Sequence, residues 1–223
     1  LIMDSNLSVK HIWCEEYSIV EMPYSLDVKL KRIVVKLSGS LFTFDTKADT
    51  LKPFCTLFAQ QMKRGVQPLI IAGGGDIARH LISLARKLGA DEASLDEIGI
   101  EASRLNARLL ISALGELCHP VVPKSLEEVV EASNTGRIVV SGGLHPGHST
   151  NAVAALIAER VGAKIFINAT DVDGVYTTDP HQDKAAKKLK TIGVRRFTKL
   201  LAEGQMIAGT YELMDLVALK VIE

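Results

Sequence analysis

Three short apolar runs in this chain each stop at a glycine-rich loop, and each loop leads towards a stretch of helical periodicity. The runs are 33–37 into Ser38-Gly39-Ser40, 69–72 into Gly73-Gly74-Gly75, and 138–140 into Ser141-Gly142-Gly143. A chain built this way is constrained to alternate buried strands with helices. That alternation predicts an α/β fold with a mainly parallel sheet flanked by helices. In such sheets ligands sit beyond the carboxyl ends of the strands, where all three loops fall. Glycine lets backbone N–H groups approach an anion, and a helix N-terminus adds a partial positive charge. Three such loops at one edge imply a site for several phosphates, and hence phosphoryl transfer between two phosphorylated molecules.

The rest of the pattern fills in this frame. Residues 32–37 read as a buried strand, 51–64 as a helix stopped by Gly65, and 68–72 as a second strand. A helix over 76–88 ends at Gly89 and carries Ile77, Leu81, Leu84, Ala85 and Leu88 on one face. A long helix is expected over 95–118, then a short strand at 119–122. Ser125 and Glu128 have capping-box spacing for a helix through Ala132. A strand at 137–141, an Ala-rich helix at 151–161 and a strand at 164–169 follow. Residues 1–31 show no clean period and are set apart as an N-terminal extension: flexible, an added edge element, or foreign to the domain at 32–223.

With 223 residues, 47% of them hydrophobic, the chain can bury a sizeable core. Its formal net charge of zero gives no overall field favouring nucleic acid or an anionic membrane, and its 5% aromatic content argues against base stacking. No partner of nucleic-acid polymer or membrane type is therefore expected. No apolar stretch reaches the ~20 residues that cross a bilayer. Cys14, Cys55 and Cys118 are widely spaced and read as isolated reduced thiols, which fits a cytoplasmic location. The chain begins at Leu1 and ends at Glu223 without a helix stop signal, so a fragment shortened at its C-terminus is expected.

Chemistry concentrates at four places. Lys36 stands at a strand end just before the first glycine turn, where its ammonium can face charge developing on a transferring phosphoryl group. The loop does not match GxxxxGK[ST]. Behind Gly73-Gly74-Gly75-Asp76, Arg79 lies one helical turn in, within reach of a phosphate. Three consecutive glycines are costly to the fold and so point to ligand contact. The third loop, 142–150, combines Pro146-Gly147 with Ser149 and Thr150, which can cap the next helix or donate to phosphate. His145 and His148 suggest a metal only weakly, because no acidic or cysteine partner is near. In the fourth stretch, 170–180, the aspartates could bind Mg²⁺ or accept from ribose and base, and Tyr176 offers a face to adenine.

Taken together these residues resemble the amino acid kinase superfamily, and within it the archaeal type of uridylate kinase. The resemblance runs from about residue 32 to 223. It is carried by 36–40, Gly73–Asp76 with Arg79, 96–100, 142–150, 170–180 and 208–213. It implies a three-layer α/β/α sandwich, Mg²⁺ with ATP as donor, UMP as acceptor, and a homohexamer built from dimers. ATP would meet Lys36, Gly39, Ser40, Gly75, Arg79, Thr170, Asp171, Tyr176 and Asp179. UMP would meet Gly74, Asp96, Leu144, His145, Pro146, Gly147, His148, Ser149 and Thr150. Lys36 would be the catalytic residue, and no protein ligand for the metal is assigned. Many relatives carry an acid where this chain has Asn151. The family continues past Glu223 with further strands, whose absence predicts an exposed sheet edge. Two other readings stay open: a related phosphotransferase with a carboxylate, carbamate or isopentenyl phosphate acceptor, and a non-catalytic nucleotide-binding protein.

Overall fold

The computed structural model describes residues 2–4, 8–10, 31–170, 174–177, 184–202 and 214–223, the first two segments as backbone only. Ile2–Asp4 (β1) and Ser8–Lys10 (β2) pair antiparallel with each other. Lys31–Leu37 (β3) follows, then the helix Ala48–Lys63 (α1) and the strand Val66–Ala72 (β4). Next come the helices Gly75–Lys87 (α2), Glu92–Leu114 (α3) and Leu126–Asn134 (α4). Val139–Ser141 (β5), the helix Thr150–Arg160 (α5) and Ile165–Ala169 (β6) complete the parallel part. Thr191–Gly193 (β7) and the helices Val194–Ala202 (α6) and Leu216–Ile222 (α7) close the described chain.

The sheet order is β5-β4-β3-β6-β1-β2-β7. The first four strands are parallel, and β1, β2 and β7 join antiparallel. The extension thus contributes two strands inside the order. The outer edge of β6 pairs with β1 through Ile2–Ile167, Met3–Phe166 and Asp4–Ile165.

Alternate residues of the strands feed two cores, as the period of a pleated strand requires. Val34, Leu69, Ile71, Val139 and Phe166 pack with Val129 of α4, Val153 and Ile157 of α5, Phe197 of α6 and Leu219 of α7. Val35, Leu37, Ile70, Ala72 and Val140 pack with Leu51 and Phe58 of α1 and Leu110, Ile111 and Leu114 of α3. The result is the expected helix–sheet–helix layering.

Several local expectations need correction. Residues 119–122 are not a strand. Only Cys118 forms a bridge, to Ile138, and Pro120 and Pro123 cannot donate to a ladder. β5 is limited to the three residues that register with β4. α3 starts at Glu92 because the Asp91 carboxylate accepts from the Ser94 N–H at 2.8 Å, and it stops at Leu114 before Gly115, whose φ is +57°. Ser125 caps α4 through the Glu128 N–H, but Glu128 reaches back to the Lys124 N–H at 2.7 Å, one residue beyond a standard box. The apolar stripe of α2 does not enter a core. Leu81, Leu84 and Leu88 are 42%, 48% and 79% exposed.

Candidate active site

Lys36 lies one residue from the end of β3, paired in register with Ile71 of β4 and Asn168 of β6. Ile71 in turn registers with Ser141 of β5. Side chains in register share a face, so Ser141, Ile71, Lys36 and Asn168 form one row across the sheet. That face also carries Val34 and Leu69 and is the one α5 covers. Lys36 is only 5% exposed, so the row brings a cation into the carboxyl end of the core beneath the first turn of α5. Asn151, in that turn, is also 5% exposed. Its Oδ1 and the Ser141 Oγ have no hydrogen-bond partner among the described residues.

The first two glycine loops touch backbone to backbone. The Ser38 N–H donates to Ala169 O at 2.9 Å, Gly73 N–H to Leu37 O at 3.0 Å, and Asp76 N–H to Phe42 O at 2.9 Å. A Cβ on Gly73 would lie 2.5 Å from Gly39 N, and one on Gly75, whose φ is +67°, 2.1 Å from Phe42 O. The three glycines are therefore required by the fold itself, which corrects the view that folding gives them no purpose. Ser40 sits in a 3-10 turn, its N–H 3.4 Å from Ser38 Oγ. Arg79 donates to Asp76 at 2.7 Å, and its guanidinium lies 3.7 Å from where a Gly39 Cβ would stand. The Arg79 side chain and the Phe44 N–H hold the Asp76 carboxyl below the ordinary carboxylate range.

Helix α3 ties the second loop to the third. The Asn106 amide donates to Gly73 O at 2.8 Å and Gly74 O at 3.1 Å. Three residues earlier, Ser103 Oγ accepts from Gly143 N–H at 2.7 Å and donates to Ile100 O. Arg104 donates to Gly143 O at 3.1 Å and Leu144 O at 3.3 Å. Near the start of α3, Asp96 accepts from the Gly147 N–H at 2.7 Å. A Cβ on Gly142 would collide with Ser103 Oγ and Arg104 N, so loop and helix are packed at backbone distance.

Among the acceptor residues expected from sequence, Leu144 is buried, while His145, Pro146, Gly147, His148 and Ser149 are exposed. Thr150 opens α5. Ser149 Oγ accepts from the Asn151 and Ala152 N–H groups and donates to Asp215, so it caps α5 here. Thr170 follows β6 directly, beside the Ser38 contact. Tyr176 bridges to Lys188 in a short antiparallel contact. Asp171, Asp179 and residues 208–213 lie outside the described residues.

Ser103, Arg104 and Asn106 were not singled out from sequence. The signal was present: Ser103 and Asn106 stand at helical spacing with Ala107 and Leu110 on a face that should be wholly apolar.

Four parallel strands whose glycine loops gather at one edge, with helices packed on both faces, define a three-layer α/β protein. Residues 31–223 match the amino acid kinase family, and the chain belongs to it. It is 44% identical over 191 residues to the uridylate kinase of Methanospirillum hungatei JF-1, covering 86% of this chain and 80% of that protein. The uridylate kinase of Hyperthermus butylicus is 42% identical over 191 residues, at 86% and 84% coverage. The crystal structure of uridylate kinase from Archaeoglobus fulgidus superposes with a TM-score of 0.75 at 39% identity, covering 86% of this chain and 85% of that one.

Proposed function

We propose that this chain is a nucleoside monophosphate kinase that transfers the γ-phosphoryl of ATP to UMP, giving ADP and UDP. The observation that carries the reading is the buried Lys36 near the end of the interior strand β3, at the edge where the loops after β3, β4 and β5 meet. The similarity to archaeal uridylate kinases at about two residues in five over most of the chain supports it.

The acceptor is already a phosphate anion, so no strong general base is needed. The task is to bring two polyanions in line and neutralise them. ATP enters as its Mg²⁺ complex. Its phosphates are assigned to Lys36, Gly39, Ser40, Gly75 and Arg79, and its nucleoside to Thr170, Asp171, Tyr176 and Asp179. UMP is assigned to Gly74, Asp96 and the loop 144–150. Lys36 follows the charge on the transferring group, and its burial strengthens that interaction by excluding water. The protein works in the cytoplasm as a homohexamer. A second copy of the chain covers the exposed leucines Leu81, Leu84 and Leu88 of α2 and Leu105 and Leu109 of α3.

The test is ADP release with UMP, CMP, acetylglutamate and isopentenyl phosphate as acceptors. UMP should be the preferred acceptor. Turnover of another acceptor but not UMP would move the chain to a different branch of the family. Binding of both nucleotides with no transfer would make it a non-catalytic binder. Sedimentation of the Leu84→Glu/Leu88→Glu variant reads the oligomer, and an unchanged assembly would reject the leucine face.

A further inference from the structure

The peptide groups that Arg104 holds face in a defined direction. No cis peptide bond occurs in the described chain, and in a trans peptide the N–H points opposite to the C=O. Arg104 draws Gly143 O and Leu144 O towards α3. The N–H groups of Leu144 and His145 therefore turn away from the guanidinium, towards the opposite side of the loop. Neither N–H has an acceptor among the described residues. Two successive unpaired N–H groups turned the same way are a recurring cradle for an oxyanion.

Arg104 is well suited to this. Its side chain is 15% exposed, and Glu101 pairs with its Nη1 at 2.6 Å, offsetting its charge. The remaining nitrogens form a planar fork that reaches two successive carbonyls. A lysine places one compact ammonium there and lacks the fork.

We propose that Arg104 is a positioning residue for the acceptor: by holding Gly143 O and Leu144 O against α3 it aims the Leu144 and His145 N–H groups at the acceptor phosphate. The proposal rests on the reading of the third loop as the UMP site. It assigns Arg104 no contact with either substrate.

The experiment is steady-state ADP release by wild type, Arg104→Met and Arg104→Lys, with UMP and ATP varied in turn. Arg104→Met keeps the apolar stem and loses the fork. It should raise KM for UMP by about tenfold or more and leave KM for ATP within about twofold. Arg104→Lys should keep a rise of about threefold or more, because charge without the fork does not fix both carbonyls. An equal rise in both KM values overturns the proposal in favour of a general structural role. A wild-type KM for UMP in Arg104→Lys overturns it in favour of a simple charge effect. If Arg104→Met does not fold, the same two criteria apply to Arg104→Lys alone. A wild type that turns over no UMP defeats the underlying function reading, and the positioning role with it; that outcome is seen before any variant is compared.

Discussion

The backbone of Gly39 fills the space where a side chain on Gly73 would begin: a Cβ there would lie 2.5 Å from Gly39 N and 2.8 Å from Gly39 Cα. The first two loops are thus a single packed unit, closed further by the Gly73 N–H to Leu37 O bond. Neither backbone can yield without moving β3 or β4, since both loops leave central strands of the sheet. Gly73→Ala should therefore destabilise the fold by about 3 kcal/mol, the upper part of the range for overpacked sites. The midpoint of urea unfolding reads this directly, and an unchanged midpoint would mean that the loops are not in contact.

Asn106 holds the second loop from the other side. Its amide satisfies Gly73 O and Gly74 O while being 5% exposed itself. Asn106→Ala leaves two carbonyls without their donor in a buried setting, which should cost about 2 kcal/mol. KM should rise for both substrates, because the proposed assignment gives Gly74 to UMP and Gly75 to ATP. A loss confined to UMP would show that Asn106 supports only the acceptor side.

Lys36→Met removes the buried ammonium while keeping most of its volume. Turnover should fall by about a hundredfold or more, as when a preorganised charge is taken from a transferring group. UMP affinity, read by calorimetry, should stay within about twofold, because the loop proposed to hold UMP is fixed by α3 and not by Lys36. Turnover close to wild type would remove Lys36 from the chemistry.

Asp76 links α2 to the loop after β3 through the Phe44 N–H at 3.0 Å and pairs with Arg79. Its folded-state pKa is lowered, mainly by Arg79 and then by the Phe44 amide. The folded state therefore binds this proton less readily than the unfolded chain. Its contribution is complete above the ordinary carboxylate range and disappears as pH falls through the lowered value. Asp76→Asn should be less stable than wild type at about pH 6, and the gap should close towards about pH 3. Unfolding midpoints across that interval test it, and a gap independent of pH would exclude the charge as its source.

The alternation of strands and helices and the glycine loops at strand ends were legible because each is a local matter. Burial on both faces makes 33–37 and 69–72 continuous apolar runs, and turn chemistry requires glycine next to them. Lys36, at the end of the first run, stands out for the same reason. Of the α3 staple only the polar residues Ser103 and Asn106 on an apolar face were legible; what they and Arg104 hold was not, since their partners are backbone atoms more than thirty positions away. For the extension, an added edge element was one of three open readings, and the sequence could not choose: 2–4 and 8–10 are too short to show a period, and their partners β6 and β7 lie far along the chain.

By itself, then, the sequence determined the architecture of the parallel sheet and the edge at which its glycine loops gather. Hydrophobic period and glycine placement depend only on near neighbours along the chain. The tertiary structure alone decided how the loops are held: Gly73 against Gly39, Asn106 across to the second loop, Ser103 and Arg104 across to the third. Those contacts join segments distant in sequence, and the direction of a peptide N–H follows from what its neighbouring carbonyl finds in space.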